Sequence, residues 1–414
     1  QEAKLNPAAR KETVTAVSRL LLDNYVFLET AAEMSKLILG KLKAGGYNTI
    51  TDPVALSDAL TVDLYSVYHD RHLLVRYFPP VANPAAASQP SDPADPMARL
   101  YRANFGLQRT EVLPGNIGYI NITNFWADDE QGRETLKAAL QFVSHTNALI
   151  IDLRGCGGGS QETVRLICSY FLEKPTHINS MYDRPDDTTT DFITTPDPSF
   201  TKMTAMPLYI LTSGKTFSAA EEFCYDLQNL ERATIVGEVT GGGAHGTFEQ
   251  DAGHGFVVSI PYSRAINPVT KTSWEGVGVI PEVRVPSDKA PETAEMIILD
   301  SQIAKTSDSG ALFTLNWDRE LLRALNNPMT LDTATLQNYA GVYGERAFTL
   351  EGGKLYYQRT GRPKFELEAM SPTMMKGKDN NYFKIEFVAD ENGKIGMVKT
   401  YYQDNRVEIS QRTK

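Results

Sequence analysis

Residues 207–245, PLYILTSGKTFSAAEEFCYDLQNLERATIVGEVTGGGAH, decide the fold. Leu208 to Thr212 is apolar and β-branched enough for a buried strand, and Ser213, Gly214 and Lys215 turn the chain after it. From Ser218 the period switches to that of a helix, with Ala220, Phe223, Cys224, Leu227 and Leu230 on one face. A second short strand, Ala233 to Val236, runs into a glycine loop. Strand, turn, helix and strand in that order predict an α/β core. Ser218 falls where the strand hands over to the helix, in the field of the first unpaired helical N–H groups. An oxyanion formed by attack of its hydroxyl would meet those amides. Ser218 and Glu221 also spell the S-x-x-E of a capping box, so local features alone read the serine as a cap or as a nucleophile.

Upstream, residues 1 to about 80 read as helical. Thr30 and Glu33 form a capping box ahead of Met34, Leu37, Ile38 and Leu42, and Gly45–Gly46 closes that helix. Asp52–Pro53 is a cap with proline at the first helical position, opening a stripe of Leu56, Leu60, Leu64 and Val67. A strand is expected over His72 to Phe78. Residues 81–100, rich in Pro, Ala and Ser without periodicity, read as a linker or an exposed excursion. Then come a strand (Asn116 to Ile122), a helix (about Asp129 to His145), a strand (Ala148 to Leu153), the loop RGCGGGS and a helix from about Gln161 to Glu173. That loop lacks GxxxxGK[ST], and Ser160 stands where GxGxxG needs its last glycine, which argues against a nucleotide cradle. Residues 180 to 206 read as a polar surface loop. Helices follow over 291–330, and short strands with turns at Gly352–Gly353 and Glu391–Gly393 make 331–414 a small antiparallel β domain.

At 414 residues and net charge −10, with no concentrated Lys/Arg stripe, the chain is not expected to bind nucleic acid. No apolar run is long enough to span a bilayer. The start at Gln1, without a signal-like segment, suits a mature exported protein, periplasmic, surface-bound or secreted. Three cysteines make no disulfide framework; Cys168 and Cys224 lie on core faces, and Cys156 sits in the glycine loop without an evident base. The six histidines lack zinc spacing, so neither metal nor cofactor is expected.

Three separated blocks, ALIIDLRGCGGGS, LTSGKTFSAAEEF with IVGEVTGGGAH, and WEGVGVIPEV, together resemble the tail-specific (C-terminal processing) serine peptidases. They are most similar to the branch of the tricorn core protease and the interphotoreceptor retinoid-binding protein. The resemblance covers roughly residues 60 to 290. It implies an α/β fold: a ClpP/crotonase-like ββα spiral core (101–290) with an N-terminal helical cap domain (1–80). It also implies site residues, position by position. Ser218 matches the nucleophile, Ala219 and either Gly157 or Gly158 the oxyanion donors, His72 of HDRHLLV the general base, and Glu275 the acid that orients it. A serine needs a base near neutrality, and the imidazole needs an acceptor to hold its tautomer. His245 of GGGAHG is the second-choice base.

The chain departs from the pattern at three points. Gly243 occupies the position of the lysine in the Ser–Lys members, Arg71 stands where the tricorn-like branch often has serine, and no PDZ module fits between His72 and the core. The expected function is a serine endopeptidase working through an acyl-enzyme on peptides or unfolded protein. The alternative is a non-catalytic carrier of a peptide or apolar ligand on the same scaffold.

Overall fold

In the computed structural model, which describes residues 4–79, 96–195 and 201–413, three helices open the chain: α1 (Pro7–Asn24), α2 (Leu28–Lys43) and α3 (Pro53–Val67). The cap at Asp52 is as read, its side chain accepting from the Val54 N–H with Pro53 next to it. The box at Thr30 is not used, because α2 starts at Leu28 behind Phe27. Strand β1 is shorter than expected, Leu74–Tyr77, leaving His72 in the turn before it. Of the excursion read over 81–100, residues up to 95 lie outside the described residues. From there the chain is helical, α4 (Pro96–Arg102), which corrects the end of that segment.

The α/β part then runs β2 (Leu107–Leu113), β3 (Ile117–Ile122), α5 (Glu130–Phe142), β4 (Ala148–Asp152), α6 (Gln161–Phe171), β5 (His177–Asp183) and β6 (Thr188–Ile193). It continues β7 (Leu208–Thr212), α7 (Ala219–Asn229), β8 (Thr234–Gly237), β9 (His245–Gly253), β10 (Phe256–Ile266) and β11 (Val283–Arg284). The loop expected over 180 to 206 is corrected: β5 and β6 form an antiparallel hairpin there. Its polar sequence misled because β6 lies at the sheet edge and exposes nearly every side chain.

One sheet has the order β11-β8-β7-β4-β3-β2, parallel from β11 to β3 with β2 antiparallel at the edge. β4 is buried along its whole length, as parallel strands covered on both faces are. The second sheet, β1-β10-β5-β6 with β9 on β10, takes β1 from the N-terminal region, so the helical cap and the core share a sheet. Leu56, Leu60 and Leu64 of α3 pack in one cluster with Val75, Phe256 and Val258.

Residues 1–291 form one compact unit and 292–414 another. The second contains α8 (Ala290–Lys305) from residue 292 on, α9 (Ser309–Asn326) and α10 (Thr333–Tyr339). Eight antiparallel strands in sequential order follow: β12 (Gly341–Tyr343), β13 (Arg346–Glu351), β14 (Lys354–Arg359), β15 (Lys364–Ala369), β16 (Met374–Gly377), β17 (Asn380–Ala389), β18 (Ile395–Tyr402) and β19 (Val407–Gln411). The Thr413 N–H donates to Val342 O, bringing the end of the meander back to its start. Among the described residues no helix is long and apolar enough to cross a membrane.

Candidate active site

The carboxyl ends of the neighbouring parallel strands β4 and β7 carry the glycine loop and the Ser218 turn side by side. The two are tied by backbone and side chain: Phe217 N–H donates to Cys156 O, Thr216 Oγ1 to Leu153 O, and Ser213 Oγ to Arg154 O. Arg154 forks onto Asp152 through Nε (2.9 Å) and Nη2 (2.7 Å), which terminates β4 and fixes the loop. Cys156 is buried, and burial pushes its thiol up to about 12, so it is no nucleophile.

Ser218 has φ 55° and ψ −125°, a left-handed backbone that side-chain-bearing residues rarely adopt. Such strain persists only where the surroundings hold it, and here Glu221 does so. Fully buried, Glu221 accepts from the N–H groups of Ser218 (2.9 Å), Gly242 (2.6 Å) and Gly243 (2.8 Å) and from the Thr240 hydroxyl. Burial pushes its carboxyl above the usual range despite those four bonds. The residue that reads locally as half of a capping box is thus the clasp between the serine turn and the GGG loop.

Ser218, Ala219, Gly157, His72 and His245 all line one cavity of about 470 Å³. The Ala219 N–H opens α7 with no acceptor among the described residues. Of the two candidate glycine donors, Gly157 N–H already donates to Thr123 O at 3.3 Å. Gly158, at φ 108°, backs onto the serine: a Cβ there would stand 2.8 Å from Ser218 Cβ and 3.2 Å from Ala219 N.

The imidazole of His72 lies on the ring of Phe217, centroids 4.5 Å apart. Its Nδ1 is buried without a hydrogen-bond partner. Burial drives its pKa down to about 4, against the pull of the Asp70 charge, so the ring is neutral at physiological pH. A Cβ on Gly243 would stand 2.3 Å from Phe217 Cζ and 2.6 Å from His72 Cε1; the lysine of the Ser–Lys members has no room at this position.

His245 sits deeper. Its Nδ1 is 2.7 Å from Asp70 Oδ2, and Asp70 also accepts from the Tyr25 hydroxyl (3.0 Å) and the His72 N–H (3.0 Å). Burial opposes ionisation of Asp70, yet these bonds and the imidazoles hold its carboxyl below the usual carboxylate range. An ionised Asp70 fixes the His245 proton on Nδ1 and leaves Nε2 as the basic nitrogen. Glu275 accepts from the Ala244 N–H at 2.6 Å and lies 3.7 Å from His245 Nδ1. Among the described residues the partners of its carboxylate are thus on the His245 side, with none on His72. Burial pushes it up to about 7, and its Oε1 is unpartnered. Donor atoms of Asp70, His245 and Glu275 lie within 4.8 Å of one another, a set that could hold a metal ion.

Sequence reading missed Asp70 and the role of Glu221. The signal was present: acids at 221, 222 and 226 interleave with the apolar stripe of α7, and all three are buried. Carboxylates on a buried helix face are rare unless something holds them.

Residues 116–285 match the family model of peptidase family S41, and residues 7–114 match that of the N-terminal domain of Peptidase_S41 in eukaryotic IRBP. The chain belongs to peptidase family S41. Among solved structures, one from Parabacteroides merdae, described as a candidate peptidase, is 20% identical with a TM-score of 0.50, covering 72% of this chain and 99% of its own. The photosystem II D1 C-terminal processing protease is 15% identical, TM-score 0.44, covering 67% and 93%. A lipoprotein from Streptococcus agalactiae is 13% identical, TM-score 0.48, covering 72% and 98%. The fold is that of S41 peptidases, and the family assignment makes serine-protease chemistry on peptides the activity class of this S41 member.

Proposed function

We propose that the protein is a serine endopeptidase of the tricorn-like branch of its family. Ser218 Oγ attacks the scissile carbonyl, His72 takes the hydroxyl proton and returns it to the leaving amine, and water then hydrolyses the acyl-enzyme. The Ala219 N–H and the glycine-loop backbone receive the oxyanion, and Glu275 supplies the acidic member beside the imidazoles. The observation that carries this reading is the strained Ser218 sharing one cavity with a neutral His72. A carrier of apolar ligands asks for a continuous apolar cavity, whereas this one is lined largely by glycine backbone, hydroxyls, imidazoles and an acid.

One observation favours a second assignment of the base. His245 has a carboxylate on Nδ1 at 2.7 Å, the arrangement that holds a catalytic tautomer, and His72 has none. Fluorophosphonate labelling followed by peptide mapping tests both. Ser218 takes the label in the intact chain and none is taken by Ser218→Ala. The base is whichever of His72→Ala and His245→Ala slows labelling by about 10²–10⁴-fold. Absence of label at Ser218, with no peptide in a diverse pool cut, overturns the enzymatic reading.

A further inference from the structure

The serine cavity has one carboxylate on its wall, Glu222, and neither Lys nor Arg lines it. Glu222 stands one helical turn beyond Ser218 on α7 and is only 2% exposed. Its two oxygens accept from Asn179 Nδ2 (3.0 Å) and Gln161 Nε2 (3.2 Å), a pair of neutral donors with no cation beside them, and burial pushes its carboxyl above the usual range. Asp226, a further turn along the same helix and fully buried, is held by Asn267 Nδ2 at 3.1 Å. Two oxygens here remain without partners: Asn179 Oδ1, an acceptor, and Oδ2 of Asp226, whose carboxyl is pushed well above its usual range by burial and the neighbouring Glu222. Met181, two residues on from Asn179 in β5, lines the cavity together with Glu222 and Gln161. What this wall lacks is a cation that would hold Glu222 ionised and donate to it. An ammonium or guanidinium offers both, three or five donors with one charge.

Resting on the peptidase reading of the same cavity, we propose that Glu222 is a specificity-determining residue that receives a lysine or arginine side chain of the substrate next to the bond to be cut. Substrate cation and wall carboxylate then compensate each other at a carboxylate that is itself buried, where such a pair discriminates strongly against a neutral isostere. The cavity volume accommodates a long side chain, and Glu222 reaches it from the helix that carries the nucleophile, so charge recognition and attack share one rigid element.

The test has two arms. In the first, kcat/KM is compared for fluorogenic peptides differing only in lysine or norleucine at the residue before the scissile bond. The intact enzyme prefers lysine by at least tenfold, and Glu222→Gln reduces that ratio at least tenfold. The second arm needs no turnover: the same two peptides, uncleaved, are titrated against Ser218→Ala and against Ser218→Ala with Glu222→Gln by fluorescence polarisation. The lysine peptide binds the first at least tenfold more tightly than the norleucine peptide, and the advantage vanishes in the second. If no peptide is cleaved but the binding difference stands, the peptidase reading falls and the cation site survives. If lysine and norleucine peptides are bound and cleaved alike, the cation site falls. Should Glu222→Gln not fold, competition of benzamidine against benzamide in the intact protein decides, since only the cation displaces a bound peptide if the proposal holds.

Discussion

Replacing Glu221 by glutamine changes one atom in a fully buried side chain, and the structure sets what it costs. Glu221 Oε2 accepts from Ser218 N–H and Gly243 N–H; Oε1 accepts from Gly242 N–H and the Thr240 hydroxyl. An amide placed with its NH₂ on the Oε2 side leaves two backbone N–H groups facing a donor. Turned the other way, it leaves Gly242 N–H without an acceptor, and the Thr240 hydroxyl, already accepting from the Val279 N–H at 2.6 Å, must rotate. A buried donor left unsatisfied costs about 1–3 kcal/mol, and the surviving bonds lose their charge assistance. The expected loss is therefore about 2–4 kcal/mol in either orientation, a large part of a typical stability of about 5–15 kcal/mol. Because the bond released or inverted belongs to the clasp on Ser218, reactivity falls with it. The measurement is urea unfolding followed by Trp126 and Trp274 fluorescence in a Trp317→Phe background, which removes the signal of the 292–414 unit, together with the rate of fluorophosphonate labelling. A Glu221→Gln protein within about 0.5 kcal/mol of its parent and labelled at the parental rate refutes the argument that this carboxylate holds the turn.

Other substitutions follow from the same geometry. Ser218→Gly removes the side chain that makes φ 55° costly, so it is expected to raise stability by about 1 kcal/mol in the same unfolding assay while abolishing labelling. Gly243→Ala drives a methyl into Phe217 and His72; labelling is expected to slow at least tenfold, with a loss of about 1–3 kcal/mol. Glu275, raised to about 7 in the folded chain, binds more protons there than unfolded, so its contribution is present below the unfolded pKa of 4.5 and is lost as pH rises through about 7. Glu275→Gln should therefore gain stability relative to the parent between pH 5 and pH 8, by a few kcal/mol at most, and parallel unfolding curves at the two pH values check the sign. With His72 as base and its pKa near 4, the acid limb of kcat/KM lies near pH 4; a limb at 6.5 argues for a base in an ordinary environment.

Much of this architecture is legible in the chain because local rules and tertiary packing agree. Asp52–Pro53 starts a helix, the parallel strand Ala148 to Asp152 is apolar up to the acid that fixes the next loop, and Ser218 marks the passage from β7 to α7. The failures have physical causes. β6 has no buried face, so no period-2 pattern betrays it. Phe27 begins α2 with no side-chain cap while a well-formed box sits unused three residues on. Asp70 is the instructive omission. It lies between His69 and His72 in sequence, but His69 stacks on Tyr65, and the imidazole that Asp70 holds is 175 positions away. Proximity along the chain says nothing about a hydrogen bond closed by folding.

That separation also bears on how the molecule is born. Arg71 reaches Gly241 O across 170 positions, Asp70 reaches His245 across 175, and β1 pairs with β10. A ribosome releasing this chain from its N-terminus has therefore delivered the cap, the glycine loop and the serine turn before β10 exists to recruit β1 and the histidine-bearing segment. In the proposed catalytic set, Ser218 therefore waits for its histidine to be placed until β10 (Phe256–Ile266) has been made, and synthesis itself postpones cutting.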